Sequence, residues 1–393
     1  MVRAQCLLVD LDLATRAEDV TVSVLGRGSF NLVYLVRVRD EKYTLRVPLD
    51  TRTSFQQTTS RAAVHEFLRR RLPNVPMSKI YYWSDAHDGR LGVPFTLSSF
   101  AEGHRLDRVY LKWTLAQQLA VVDQVAQILA DMWTLTFPAI GPLHSSTGLV
   151  KDVGVGTYSD DGAWVDSCSV ASEDAPKTLS AFVEQRVATD RCVSRFFAPQ
   201  LIDALEVLRV HELSGRVTLW HGDFFPRNIL VKLDWLGTPI ITAIMDFDFC
   251  MAAPEEFAFE LPSWLWTDAY YQRPRDLDDT SPNSEGCERI DGQTLDAVLP
   301  TDQEKYLRKR FLGLISDYYP DFEDDVKLCR AKRLRTLMDI TRYTRSRRGG
   351  EINRAQDDRL ERYLNWIHKP EAPKYSDCTS EDAYSAGESE EEE

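Results

Sequence analysis

The chain has 393 residues, 43% of them hydrophobic, so it is long enough to bury a large core and to divide into two or three units. No apolar run approaches the ~18 residues of a membrane span, and the short apolar piece near the start, with aspartates close behind, does not read as a secretory leader. The cysteines are odd in number and scattered without metal-ligand spacing, which points to a reduced, cytoplasmic location, and much of the net charge of -14 gathers in residues 371–393.

In chain order, residues 22–36 and 43–47 are β-rich runs, and glycines Gly26 and Gly28 interrupt the first as a hairpin turn would. Glycine lets the backbone approach a ligand closely and adopt positive φ. Asn31 tolerates the left-handed region better than most residues. Residues 61–70 read as a helix carrying Glu66, and 94–100 as a strand running into a polar turn. Residues 111–135 place Leu115, Leu119, Val122, Val125, Leu129 and Trp133 at helical spacing. Residues 141–178, rich in Gly, Ser and Asp, read as irregular structure or an insertion. Helical patterning returns over 178–212, an exposed loop is expected at 273–292, and closing helices at 303–318, 326–345 and 354–367.

The basic stretch 330–348 carries apolar residues at helical spacing and Tyr343 as its single aromatic. A solvated helix face over an apolar stripe accounts for it better than a nucleic-acid platform. No nucleic acid and no membrane are expected as partners. Residues 371–393 are acidic with few apolar side chains, a composition that predicts disorder. Ser380 and Ser389 there are either phosphorylation sites or parts of a solubilising terminus.

The most informative stretch is 219–231, Leu-Trp-His-Gly-Asp-Phe-Phe-Pro-Arg-Asn-Ile-Leu-Val, followed by Ile-Met-Asp-Phe-Asp at 244–248. Transfer of a terminal phosphoryl group needs a carboxylate beside the attacking hydroxyl and hard oxygen ligands for Mg²⁺ on the nucleotide. Asp223, Asn228 and Asp246 supply these three functions, and the flanking apolar runs read as strands that bring the loop and Asp246 into one cleft. His221, at an apolar strand end, is expected to buttress the loop. Asp248 shares a face with Asp246 if the strand continues, so a metal role stays open for it.

His-Gly-Asp, four residues, Asn, then an apolar run and a second Asp resembles the aminoglycoside phosphotransferase and choline kinase superfamily, in particular members of the fungal type. The resemblance implies an α+β, protein-kinase-like, two-lobed fold with a β-rich N-lobe and a mainly helical C-lobe. It divides the chain into a nucleotide-binding lobe at 19–100, a catalytic and substrate lobe at 101–369, and the acidic tail at 370–393. Asp223 would be the catalytic carboxylate, and Asn228 and Asp246 the Mg²⁺ ligands. Gly26 and Gly28 would cover the phosphates. Arg46 stands where these kinases carry a lysine, with Glu66 as its helix partner, although arginine and lysine are not interchangeable at a close-fitting site. Ser98, Ser99 and Phe100 would line the adenine.

The expected activity is transfer of the γ-phosphoryl group of ATP, with Mg²⁺, to a hydroxyl of a small molecule. The alternative is a catalytically weak nucleotide-binding scaffold that keeps the fold. A protein kinase fits less well, because Phe225 stands where a lysine is usual and no Asp-Phe-Gly or Ala-Pro-Glu segment follows. Glu255, Glu256 and Glu260, with Trp264 and Trp266, would either attract and stack on a cationic acceptor or form an acidic helix start over core tryptophans. The oligomeric state is left open.

Overall fold

The structure, a computed structural model, describes residues 2–28, 31–49, 55–84, 91–158, 168–171, 175–178, 181, 203, 216–267 and 301–323. The expected basic helix face, the acidic tail, the loop at 273–292, the helices at 326–345 and 354–367, and nearly all of the helical segment 178–212 lie outside the described residues.

An antiparallel five-stranded sheet is formed by β1 (Val20–Arg27), β2 (Asn31–Val38), β3 (Glu41–Pro48), β4 (Ile80–Ser84) and β5 (Phe95–Ser99), in the order β1-β2-β3-β5-β4. Side chains alternate across a strand. In β3 that alternation buries Tyr43 and Leu45 in the core on one face and sends Arg46 to the other. The core of this sheet also takes Ala4, Leu7 and Leu8 from helix α1 (Val2–Asp10), which was not foreseen. Nine residues with few charges look like an undistinguished start. Docking on Val36, Phe95 and Leu97 is what makes them a helix with a buried face.

Helix α2 (Phe55–Arg71) connects β3 to β4, but its Val64 and Leu68, with Leu72 just beyond its end, join the larger, second core. Helix α3 (Leu115–Thr134) is the spine of that core, burying Val121, Val122, Val125, Leu129, Met132 and Trp133. It begins at Thr114 with a reciprocal cap, in which the threonine oxygen accepts from the Gln117 N–H and the glutamine returns a bond to the Thr114 N–H.

Residues 141–178 are not irregular throughout. They supply β7 (Gly141–Ser145), β8 (Val153–Tyr158) and β9 (Cys168–Ala171), after the two-residue β6 (His104–Arg105). Gly and Pro depress strand propensity, but pairing with neighbouring strands overrides it here. With β10 (Val217–Trp220) and β13 (Met251–Pro254) they form a sheet ordered β10-β13-β7-β8-β9. A third sheet, β12-β11-β6, contains β11 (Ile229–Leu233) and β12 (Pro239–Ile244).

The short helix α4 (Glu255–Ala258) follows β13. Helix α5 (Asp302–Tyr318) buries Leu307, Phe311 and Ile315 at helical spacing, and Arg310 forms a two-pronged pair with Asp123 of α3 at 2.8 Å. The α+β class, with an antiparallel N-terminal sheet, is as expected. Among the described residues no helix is long and apolar enough to cross a membrane.

Candidate active site

The loop between β10 and β11 is built from its own side chains. Gly222 takes φ 77, a conformation that costs a residue with a Cβ but not glycine. That turn brings the Asp223 N–H back to His221 Nδ1 at 3.2 Å. Since Nδ1 accepts, Nε2 carries the proton and donates to the Met245 carbonyl at 3.0 Å. Burial pushes the His221 pKa down to about 4, so the ring is neutral at neutral pH and serves as the expected buttress.

Pro226 opens a 3-10 turn, Pro226–Asn228, whose φ its ring favours. The turn swings Asn228 back over the start of the loop. Its Nδ2 donates to the Asp223 carbonyl at 2.9 Å and to Asp223 Oδ2 at 2.7 Å. The Arg227 guanidinium binds the other oxygen, Oδ1. Both Asp223 oxygens are therefore held, and the Asn228 amide is oriented with its nitrogen toward Asp223. From the far side, the Trp264 indole N–H donates to the Phe224 carbonyl at 3.0 Å.

The Asp246 segment is tied to this loop through the Met245 N–H, which donates to the Asn228 carbonyl at 2.8 Å. The β12 strand ends at Ile244, and Asp246 has φ 63 and ψ 54, in the left-handed region. Asp tolerates that region better than most residues, and such outliers concentrate at functional sites. The same-face argument for Asp248 therefore fails, because a 3-10 turn (Phe247–Phe249) and not a strand carries it. Phe247 in that turn packs its ring against His221, with centroids 4.6 Å apart, and on the edge of His65.

Arg46 meets this turn from the N-terminal sheet. Its guanidinium lies 4.0 Å from Asp246 Oδ1 and grips both oxygens of Asp248, with Nη1 3.3 Å from Oδ1 and Nη2 on Oδ2. Arg61 of α2 is 3.8 Å from the same carboxylate. Burial, and next the charge of Asp248, push the Asp246 pKa up to about 6. Burial acts the same way on Asp248, but the two arginines outweigh it and hold that carboxyl below the usual range.

The expected Arg46–Glu66 pair does not form. Glu66 is buried and bonded to its own helix, to Arg69 through both carboxylate oxygens at 2.8 Å and to Arg70 at 3.0 Å. Residues four apart share a helix face. The stripe of α2 that faces the 247–249 turn is Arg61 and His65, and Glu66 sits about 100° around the helix from His65.

Gly26 is in register with Val33, and Val33 with Arg46, so Gly26 is two strands from Arg46, roughly 10 Å at ordinary strand spacing. Neither Gly26 nor Gly28 uses positive φ, and Asn31 is an ordinary strand residue. A Cβ added at Gly26 would meet nothing within 4 Å. At the end of β5, the Ser99 N–H is bonded to the Lys79 carbonyl at 2.8 Å and the Phe100 N–H to the Lys42 carbonyl at 3.3 Å, while Ser98 pairs with both Thr44 and Ile80.

Of the two readings of residues 255–266, the one with tryptophans stacking on a cationic acceptor is not the arrangement here: Trp264 and Trp266 are buried. Glu255 is paired with Arg216 at 3.0 Å, and Glu260 accepts from the Trp220 indole at 3.1 Å. The acidic helix start over core tryptophans is the arrangement found. Arg61 and Arg227 are the contributors that the sequence reading passed over. Arg227 is visible in retrospect as the residue four beyond Asp223, whereas nothing local marks Arg61.

A family model described as the phosphotransferase enzyme family matches residues 21–279. The subtelomeric hrmA-associated cluster protein of Aspergillus fumigatus strain Af293 is 25% identical over 153 residues, 36% of this chain and 30% of that relative's length. Among solved structures, aminoglycoside phosphotransferase APH(4)-Ia is 14% identical with a TM-score of 0.48, over 93% of this chain and 97% of that one. The GDP complex of aminoglycoside 2'-phosphotransferase-IIIa is 13% identical with a TM-score of 0.43, over 88% and 92%. The family match covers more than half of the 393 residues and contains the whole of the loop and turn described above, and on that ground the chain belongs to the APH phosphotransferase enzyme family, with its kinase-like fold.

Proposed function

We propose that this protein transfers the γ-phosphoryl group of ATP to a hydroxyl of a small molecule, between a nucleotide-binding unit at 19–100 and a catalytic unit at 101–369. The observation that carries the reading is that Asn228 bonds Asp223, that the Met245 N–H joins this loop to the turn carrying Asp246, and that the Arg46 guanidinium lies 4.0 Å from Asp246. Asp223 orients the acceptor hydroxyl and takes up its proton. Its two oxygens are held by Arg227 and Asn228, so the carboxylate has one orientation and little freedom to lose on binding. Arg46, with the Gly26 and Gly28 turn, receives the phosphates, and the segment 98–100 borders the adenine.

The residues fit Mg²⁺, which usually takes one or two protein oxygens and fills its shell with phosphate and water. Asn228 has its amide nitrogen committed to Asp223, so Oδ1 is the atom it would offer a cation, and the Asp246 carboxyl is one whose buried charge a cation would stabilise. When bound, Mg²⁺ neutralises the charge that develops on the transferred phosphoryl group.

The test is a thermal-shift series with ATP, GTP and Mg²⁺, followed by a turnover screen over hydroxyl compounds with and without amines. Nucleotide-dependent product formation is expected. Nucleotide binding with no turnover across the panel would favour the scaffold alternative.

A further inference from the structure

We infer that Asp248, and not a carboxylate of α2, is the positioning residue that holds Arg46 toward the nucleotide phosphates, with Arg61 as a second cation behind it. This rests on the phosphate-binding role proposed above for Arg46.

The geometry carries it from three sides. Arg46 engages both Asp248 oxygens through two guanidinium nitrogens, a fork-on-fork contact that fixes the plane of the group as well as its distance. The pair spans 202 positions of sequence and joins the N-terminal sheet to the turn that carries Asp246. The helix carboxylate that a kinase-like site would use, Glu66, is already consumed by Arg69 and Arg70.

Nor is α2 placed to exchange one for the other. Val64, Leu68 and Leu72 lock it into the larger core. Ser60 also bonds to His144 Nδ1 at 2.9 Å and accepts from the Ser145 N–H at 2.9 Å, which ties the helix to β7. Turning the helix to bring Glu66 toward Arg46 would break these contacts and leave Arg69 and Arg70 without their partner.

The same geometry accounts for the departure from lysine. A guanidinium has five N–H donors. Two are used on Asp248, and the others remain for phosphate oxygens. An ammonium also has three donors, but it is a point charge with no plane that a carboxylate could fix. In this arrangement the phosphate-binding cation is aimed from the catalytic side of the molecule, so a nucleotide meets a formed site only when the sheet and the 246–248 turn are docked.

The experiment is calorimetric titration of the full chain with MgATP and, separately, with ADP in the absence of Mg²⁺, together with melting temperatures. The variants are Asp248→Asn, Asp248→Glu, Arg46→Lys and Glu66→Gln. Loss of a charge-assisted contact predicts that Asp248→Asn weakens both ligands by about tenfold or more. Asp248→Glu should recover part of this, and Glu66→Gln should leave both affinities unchanged even if it lowers the melting temperature.

Equal or tighter binding by Asp248→Asn overturns the inference, because Asp248 would then compete with phosphate for Arg46. So does a loss confined to the Mg²⁺ titration, which would make Asp248 a metal ligand, or an equal loss in Glu66→Gln. If Asp248→Asn does not fold, Arg46→Lys keeps the charge and removes the fork, and wild-type affinity in that variant overturns the inference just as well. A wild-type chain that binds neither nucleotide removes the proposed function and this inference together, whereas wild-type binding with an indifferent Asp248 removes only the latter.

Discussion

Asp223 accepts on both oxygens, from Arg227 and from the Asn228 amide, so an isosteric amide removes the base and one of these two bonds while keeping the size of the side chain. Asp223→Asn is expected to lower turnover by ~10²- to 10⁴-fold, the usual loss for a positioned base, with nucleotide affinity retained. Steady-state kinetics beside a nucleotide titration check it, and undiminished turnover would take Asp223 out of the mechanism. Asp246→Ala acts elsewhere. It should weaken nucleotide binding in the presence of Mg²⁺ and spare it in the absence of metal, because a hard cation loses a carboxylate oxygen. Titrations with and without Mg²⁺ decide the matter, and an unchanged metal dependence would dismiss the assignment. At this scale much was readable beforehand. The His-Gly-Asp turn needs glycine at φ 77, and the 3-10 turn Pro226–Asn228 opens on a proline whose ring favours it, so both constraints are local. The partner of Arg46 was not readable, because it lies 202 residues away and Glu66 is the nearer carboxylate in sequence.

Among the elements, α3 shows how a local signal and a tertiary one reinforce each other. Its apolar stripe is visible at helical spacing, and its start is set by the reciprocal cap of Thr114 and Gln117. Thr114→Ala should cost about 1 kcal/mol of stability, the ordinary value for a lost N-cap. Denaturant unfolding measures the loss, which should leave nucleotide affinity unaltered because Thr114 lies outside the 221–228 loop. The strands in 141–178 make the opposite case. Residues 153–158, Val-Gly-Val-Gly-Thr-Tyr, have weak intrinsic preference and become a strand because β7 and β9 flank them. Helix α1 is likewise made by its docking site, with Leu7 and Leu8 fully buried under the N-terminal sheet.

At the scale of the whole molecule, the buried neutral His221 makes stability depend on pH. Unfolded, a histidine titrates near 6.5, and in the fold this one titrates near 4, so between those values the unfolded chain binds the extra proton. The stabilisation is therefore complete above about pH 6.5 and declines as the pH falls toward 4, by about 3 kcal/mol in all. Unfolding curves across this range should show the decline, and His221→Gln should flatten it. A variant whose pH profile matches the wild type would mean that other groups carry the effect. Binding also stabilises the folded state as a whole. MgATP at 100 times its Kd should add about 2.7 kcal/mol and raise the melting temperature accordingly. The absence of any such rise at millimolar MgATP would count against a nucleotide site.

By itself the sequence determined what short-range physics can specify. It marked the 221–228 loop and its turn residues, the strands beside it, the amphipathic α3 and α5, and the glycine-bearing hairpin. Each rests on contacts within a few positions, on side-chain periodicity, or on a motif whose spacing is a turn. Only the tertiary structure decided that Arg46 and Arg61 flank Asp248, that Glu66 turns away to Arg69 and Arg70, that Trp264 braces the loop instead of stacking on a ligand, and that α1 completes a core. Those outcomes depend on which charges are desolvated together and which helix face a distant sheet covers. A charge desolvated next to another takes the partner that packing brings within reach, whatever lies nearest to it along the chain.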